Sequence, residues 1–88
     1  MGNGALYMED EQELNMVIRM VKKEYLRAIK KFGSFHNAHE GYAVLLEEVD
    51  ELWENVKLNQ KNVDRDKLIR EESIQVAAMA IRIIHDCT

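Results

Sequence analysis

Residues 41–57, GYAVLLEEVDELWENVK, combine apolar side chains at helical spacing with the acidic pattern Glu-Glu-x-x-Glu. The apolar residues recur in steps of three and four, the period of an α-helix. They are Tyr42, Leu45, Val49, Leu52, Trp53 and Val56. At about 100° per residue, Glu48 and Glu51 fall together beside this apolar stripe, whereas Glu47 points further toward solvent. The stretch therefore predicts an amphipathic helix with an acidic pair at the border of its packed face.

A longer amphipathic segment precedes this helix. Its apolar residues run from Leu14 to Phe32 in steps of three and four, which again predicts a helix. The acidic run 9–13 suits a helix start, and Gly33 suits the position just after a helix end. Residues 1–8 are expected to be a frayed start. Because the connection after Gly33 is short, the first two helices are predicted to be antiparallel neighbours.

The third predicted helix follows the polar linker 59–62. Asp64 is its expected N-cap, and Asn37 with Glu40 forms a capping box for the second helix. The third helix is apolar on two opposite sides, and a helix that is apolar nearly all round is normally buried. With two other helices in the chain, its second side is expected to lie uncovered. We therefore predict self-association into a dimer or tetramer through this helix.

Composition is consistent with one all-α domain over residues 1–88, in which three-helix protomers form helical bundles on oligomerisation. The chain has no proline, which favours long helices. A net charge of −4 argues against nucleic acid as a partner, and no apolar run is long enough for a membrane span. The single cysteine, Cys87, cannot form an internal disulfide, so a reducing, cytoplasmic location is expected.

A second acidic group lies in the third helix, where Glu72 and Gln75 are three residues apart. If the second and third helices pack antiparallel, the pairs Glu48–Glu51 and Glu72–Gln75 face each other. Carboxylate and amide oxygens at this density suit Mg²⁺ or Mn²⁺, and Mg²⁺ commonly binds together with substrate phosphates. The pattern thus predicts a metal site for a phosphorylated substrate. The alternative is a solvated acidic face, because acidic pairs are common on exposed helices.

The chain resembles the MazG-like all-α nucleoside triphosphate pyrophosphohydrolases from about Phe35 to Asp86. The matching segments are FHNAHEGYAVLLEEVDELWENVK and REESIQVAAMAIRIIHD, which share the order of helices and the spacing of acidic residues with that family. The resemblance implies Mg²⁺-dependent hydrolysis of a (deoxy)nucleoside triphosphate to the monophosphate and pyrophosphate. It also implies that the protein is a homo-oligomer.

Roles for individual residues follow from the same resemblance. Glu48, Glu51 and Glu72 would be metal ligands, and Glu47 would lie behind them or help to position water. His36 falls where relatives often carry a histidine near the substrate. The neighbouring His39 is a further candidate for substrate contact. Apart from the resemblance, basic residues occupy the second half of the first helix, where cations normally complement the helix dipole; the alternative is that one or two of them, such as Lys30, reach a bound phosphate. These residues are Lys22, Lys23, Arg27, Lys30 and Lys31. Aromatic residues stack on the base in some relatives, but Tyr42 and Trp53 are expected in the core because they lie in the apolar stripe.

The chain departs from the family pattern at Gln75, where the family has Asp. An amide oxygen can ligate a hard cation but brings no charge. Two alternatives stay open beside an active enzyme. One is a catalytically weak or silent MazG-like module that binds nucleotide or a protein partner, and the other is a helical assembly protein whose acidic face is solvated.

Overall fold

The computed structural model describes the backbone of residues 4–88 and the side chains of residues 9–88. The described residues form three α-helices, α1 (Gly4–Phe32), α2 (Ala38–Val56) and α3 (Arg65–Cys87), and no strand. This confirms the all-α, three-helix prediction for that part of the chain. Helix α1 begins at Gly4, earlier than the acidic run in which its start was predicted. A frayed start was predicted for residues 1–8; the backbone is helical from Gly4 onward, and residues 1–3 lie outside the described residues.

Helix α3 lies in the middle and packs against both other helices. It is antiparallel to α2, since the Asn55 side chain donates to the Leu68 carbonyl at one end of the pair while Gly41 approaches Ile83 at the other. It runs in the same direction as α1, because Arg70 contacts Met20 and the later Arg82 contacts Gly33.

Helices α1 and α2 share no direct packing in the described part of the chain, so the prediction that they are neighbours was wrong. Their opposite directions were predicted correctly. A short linker limits the distance between two helix ends, but it does not force the helices to pack along their length. Here α3 fills the space between them instead.

The buried core is small and centres on α3. Its members are Val21, Ala28, Phe35, Ala78 and Met79, and half-buried side chains from all three helices surround them. Alanines on α1 and α3 allow these two helices to approach closely. Cys87 is a free thiol that packs against the same core.

The linker between α1 and α2 is fixed to the last turns of α3. Gly33 follows α1 with φ +73°, a left-handed conformation that glycine adopts without a Cβ penalty. Its carbonyl accepts a hydrogen bond from Arg82 Nη2 at 2.9 Å, and the Arg82 guanidinium lies 4.0 Å from the centre of the Phe35 ring. The Phe35 N–H donates to Asp86 Oδ2 at 3.0 Å. Two buried charged side chains of α3 therefore hold the linker in place.

Helix caps agree in part with the sequence patterns. Asn37 Oδ1 accepts the Glu40 N–H at 2.9 Å, as the predicted capping box requires. The Glu40 carboxylate reaches back one residue further than expected and accepts the His36 N–H. Asp64 occupies the N-cap position of α3, but its side chain makes no capping hydrogen bond.

The packed face of α2 differs from the predicted apolar stripe. Gly41 is buried, and the half-buried residues that follow at helical spacing are Val44, Leu45, Glu48, Leu52, Asn55. Tyr42 and Trp53, expected in the core, are 62% and 56% exposed. The face of α2 that carries Gly41 packs closely against α3, where a Cβ at position 41 would lie 2.9 Å from Ile83 Cγ1. With this face turned inward, the two aromatic residues face outward. Glu48 consequently lies on the packed face and not merely beside it.

The expectation that one side of α3 is left uncovered holds in part. Helix α1 packs on this side, where Ala78 is fully buried and Ile74 and Ala77 pack against the core, whereas Ile81 and Ile84 stay 41% and 65% exposed. Large apolar side chains are also exposed on the first half of α1, including Leu14, Met16 and Ile18. Oligomerisation through α3 stays a prediction. Within residues 4–88, no helix is long and apolar enough to cross a membrane.

Candidate metal centre

Three carboxylates meet between α2 and α3. One oxygen each from Glu48, Glu51 and Glu72 can be chosen so that all three atoms lie within 4.8 Å of one another. Glu48 and Glu51 lie one turn apart on α2, and Glu72 faces them because α3 is antiparallel to α2. The structure thus brings together the three glutamates that the sequence singled out.

The environment of Glu72 is unusual for a carboxylate. Its Oε2 atom is buried and has no hydrogen-bond partner among the described residues. Burial raises the pKa of Glu72 to about 8, and the adjacent Glu48 carboxylate, followed by that of Glu51, adds to the effect. Three negative charges in a partly dry crevice repel one another, so without a cation the cluster retains a proton near neutral pH.

Gln75 lies one turn further along α3 and contacts a residue that the sequence did not place in the site. Its side chain lies near Glu24 of α1 and, after the larger effect of Arg27, helps to lower the pKa of the Glu24 carboxyl. An amide can donate to a carboxylate, whereas an ionised carboxylate at position 75 would face Glu24 with like charge. The residue that departs from the MazG-like pattern therefore fits its surroundings in this chain.

Next to the acidic cluster lies an open cleft of about 420 Å³ between α1 and α2, with α3 as its floor. Its lining residues form three groups along the helix axes, here called levels, which follow one another at about one helical turn. Glu24, Glu48 and Gln75 line the level nearest the cluster. The small apolar middle is lined by Ala28, Val44, Met79. The level at the linker is lined by Phe32, Ser34, Phe35, His36, Glu40, Arg82. The volume lies within the range of about 300–1,000 Å³ that small-molecule sites occupy.

The other predicted site residues are distributed unevenly around this cleft. His36 lines it, and its Nδ1 lies 3.0 Å from Glu40 Oε2; that contact raises the pKa of His36. Glu47 is exposed and is not part of the three-glutamate cluster. His39 and Lys30 are exposed and do not line the cleft. The structure thus gives no support for substrate contact by these last two residues.

Two arginines outside the set of predicted site residues also line the cleft. Arg27 of α1 forms an ion pair with Glu24, and Arg82 of α3 holds the linker. The signal for Arg27 was its spacing of three from Glu24 within one helix. For Arg82 the sequence offered only a lone cation among apolar residues of α3. Tyr42 and Trp53 do not line the cleft, which leaves Phe32 and Phe35 as its aromatic residues.

The donor set fits a hard divalent cation. Three carboxylates supply oxygen ligands of the kind that Mg²⁺ and Mn²⁺ prefer, and the unpartnered Oε2 of Glu72 is a buried polar atom without compensation. The adjoining cleft leaves room for a ligand beside the cation. Comparisons of the chain with protein-family models, with curated proteins and with solved structures found no match in any of the three.

Proposed function

We propose that this protein is a Mg²⁺-dependent nucleotide pyrophosphohydrolase of the MazG-like kind, which converts a (deoxy)nucleoside triphosphate to the monophosphate and pyrophosphate. The observation that carries the proposal is the convergence of Glu48, Glu51 and Glu72 at the edge of an open cleft. The sequence resemblance supports it as well. An acidic cluster alone favours a cation, and the cleft adds space for a ligand of nucleotide size.

A bound Mg²⁺ supplies positive charge that polarises phosphoryl oxygens and stabilises the charge that develops during phosphoryl transfer. The three glutamates hold the cation on the α2–α3 side of the cleft. The apolar middle, formed by Ala28, Val44 and Met79, excludes water from the rest of the ligand. In this proposal the phosphates of the ligand lie near Glu48, and its nucleoside lies toward the linker. Glu47 lies outside the three-glutamate cluster, but its position beside Glu48 leaves it available to orient a water molecule.

The metal centre is tested by thermal unfolding with and without millimolar Mg²⁺ or Mn²⁺. A cation at about ten times its Kd adds about 1.4 kcal/mol to the free energy of unfolding, which raises Tm by about 5–10 °C in a domain of this size. Glu51→Gln should remove this increase. Asp50→Asn is the matched control, since it removes one exposed charge from the same helix outside the cluster. Equal responses of the two variants would refute the metal centre.

The enzymatic step is tested by incubating the protein with a panel of nucleoside triphosphates and detecting pyrophosphate. Pyrophosphate release that depends on Mg²⁺ and is lost in Glu51→Gln is the expected result. Binding of a triphosphate without turnover would favour the second candidate, a silent MazG-like module. Gln75, which brings one charge fewer than the family's Asp, is the observation that favours this candidate.

Assembly into a homo-oligomer through α3 is part of the proposal, since Ile81 and Ile84 are 41% and 65% exposed, and α1 and α2 carry further exposed apolar side chains. Leu14, Met16 and Ile18 on α1 and Trp53 on α2 are each about half or more exposed. Covering such side chains contributes about 1.5–3 kcal/mol each when burial is complete. Light scattering at micromolar concentration tests it, and a monomer would contradict it. The lone free cysteine is in keeping with a reducing, cytoplasmic environment.

A further inference from the structure

We propose that Arg27 of α1 binds the phosphate groups of the ligand from the wall of the cleft opposite the acidic cluster. Glu24 holds the Arg27 guanidinium in place until the ligand arrives. This inference rests on the proposed function, because it presumes that the ligand carries phosphates. It adds a contact from the helix that the MazG-like sequence segments do not include.

Three side chains that can carry a positive charge line the cleft: Arg27, His36 and Arg82. Arg82 is 3% exposed, and its guanidinium is engaged by the Gly33 carbonyl and the Phe35 ring. It is therefore committed to the linker. His36 lies at the linker end, and on α2 the distance from Glu40, its partner, to Glu48 is about 12 Å by helical rise. That leaves Arg27, whose side chain is half exposed, as the cation nearest to the cluster level.

Arg27 is held ready by its own helix. Its Nη2 and Nε atoms donate to the two carboxylate oxygens of Glu24 at 2.6 and 2.9 Å, which is a two-point contact. The Glu24 side chain is only 12% exposed, and Gln75 of α3 lines the cleft beside it. The carboxylate is thus a fixed anchor on the cleft wall, whereas the guanidinium it holds reaches solvent.

A phosphate group is the natural competitor for this guanidinium. The arginine fork matches phosphate oxygens as well as it matches a carboxylate, and a bond to a doubly charged group is the stronger one. The exchange leaves the largely buried Glu24 carboxylate without its arginine, so the bonds between Arg27 and the phosphate have to outweigh that cost. The three glutamates and their cation would hold the phosphates from α2 and α3, and Arg27 would hold them from α1. The ligand would then bridge two helices that do not otherwise touch.

The test measures the binding of inorganic triphosphate, which has no base, in the presence of Mg²⁺ by isothermal titration calorimetry. Arg27→Gln should weaken binding by about 10- to 100-fold, as expected for the loss of hydrogen bonds to a charged group. Arg27→Lys, which keeps the charge but not the fork, should recover part of the affinity. Arg19→Gln is the matched control, because Arg19 is an exposed arginine of the same helix outside the cleft.

The variant Glu24→Gln distinguishes a ligand-binding role of Arg27 from a purely structural role of the Glu24–Arg27 pair. It keeps the shape of the side chain and its capacity to bond with Gln75, but it releases Arg27 and removes a negative charge from the cleft wall. We expect it to tighten triphosphate binding, opposite in sign to Arg27→Gln. If Glu24→Gln weakens binding as Arg27→Gln does, the pair is structural and the inference is overturned. It is also overturned if Arg27→Gln binds triphosphate as well as Arg19→Gln does.

The Mg²⁺-induced rise in Tm, measured on the same variants, distinguishes this failure from failure of the proposed function. Arg27 is not one of the three clustered glutamates, so Arg27→Gln should retain the rise in Tm. If the unaltered protein binds triphosphate and only the role of Arg27 fails, the proposed function stands. If the unaltered protein is stabilised by Mg²⁺ but binds no triphosphate, the nucleotide function and the role of Arg27 both fall while the metal centre stands.

Discussion

Replacement of Glu72 by glutamine tests the electrostatics of the acidic cluster directly. In the folded protein the pKa of Glu72 is raised from 4.5 to about 8, first by burial and then by Glu48 and Glu51. The folded state therefore holds a proton that the unfolded state releases at lower pH. Between about pH 4.5 and pH 8, the free energy of unfolding should fall as the pH rises. Above pH 8 Glu72 is ionised in both states, so the free energy of unfolding should fall no further on its account.

The magnitude follows from the same two values. A difference of 3.5 pH units corresponds to at most about 4.8 kcal/mol at 1.36 kcal/mol per unit. Because Glu51 is exposed and the cluster reaches solvent, screening reduces this, and we expect about 1–2 kcal/mol. Glu72→Gln has nearly the same shape and no charge. Without divalent cations it should be more stable than the unaltered protein by this amount above pH 8, and equally stable at about pH 4.5.

Urea unfolding from pH 4.5 to pH 9, with and without Mg²⁺, measures the effect. Mg²⁺ should restore the stability of the unaltered protein at high pH and should have no effect on Glu72→Gln. Glu71→Gln is the matched control, because it removes the neighbouring, exposed charge. If Glu71→Gln and Glu72→Gln change the pH dependence equally, or neither changes it, the glutamates do not form a coupled, partly buried cluster and the reasoning is refuted.

Three further predictions concern packing and the cleft. Gly41→Ala should destabilise the protein by about 1–3 kcal/mol in a urea melt, because the alanine Cβ would lie 2.9 Å from Ile83 Cγ1. Helix propensity alone predicts a stabilisation of about 1 kcal/mol, so a measured increase in the free energy of unfolding would contradict the close packing at Gly41. Gln75→Asp should tighten Mn²⁺ binding in a calorimetric titration while lowering the stability of the metal-free protein, since it faces Glu24 with like charge. Unchanged affinity would place Gln75 outside the metal's reach. Arg82→Ala should lower the free energy of unfolding by about 2–3 kcal/mol, because it removes the charged donor to the Gly33 carbonyl. A loss below about 0.5 kcal/mol would contradict the role of Arg82 in holding the linker.

Periodicity was sufficient to predict the three helices, because each carries a long run of apolar residues at steps of three and four. The convergence of Glu48, Glu51 and Glu72 was also predicted, because i, i+3 pairs beside the packed faces of two antiparallel helices face each other when the register allows it; Gln75, the fourth predicted member, lies toward Glu24 instead. The cap at Gly33 and the Asn37 contact with Glu40 follow from local chemistry alone.

The arrangement of the helices was not predictable in the same way. Which helix lies in the middle depends on fine differences in side-chain size, such as Ala78 at the core and Gly41 against Ile83. The rotation of α2 was missed for the same reason, because Tyr42 and Trp53 dominate the apolar stripe by size although they face outward. The roles of Arg27 and Arg82 depend on contacts across long sequence separations or on the cleft itself, which exists only once the helices are placed.

The open space between α1 and α2 has a mechanical consequence. Among the described residues both helices pack on α3 and not on each other, so the width of the gap depends on how each helix sits on α3 and on the linker, residues 33–37. The cluster level lies about 12 Å from the linker by helical rise, and a tilt of either helix by about 10° would move that level by about 2 Å. Substitutions near Gly33 should therefore change the distance between α1 and α2 at the cluster level, and with it the affinity for a ligand that contacts both helices.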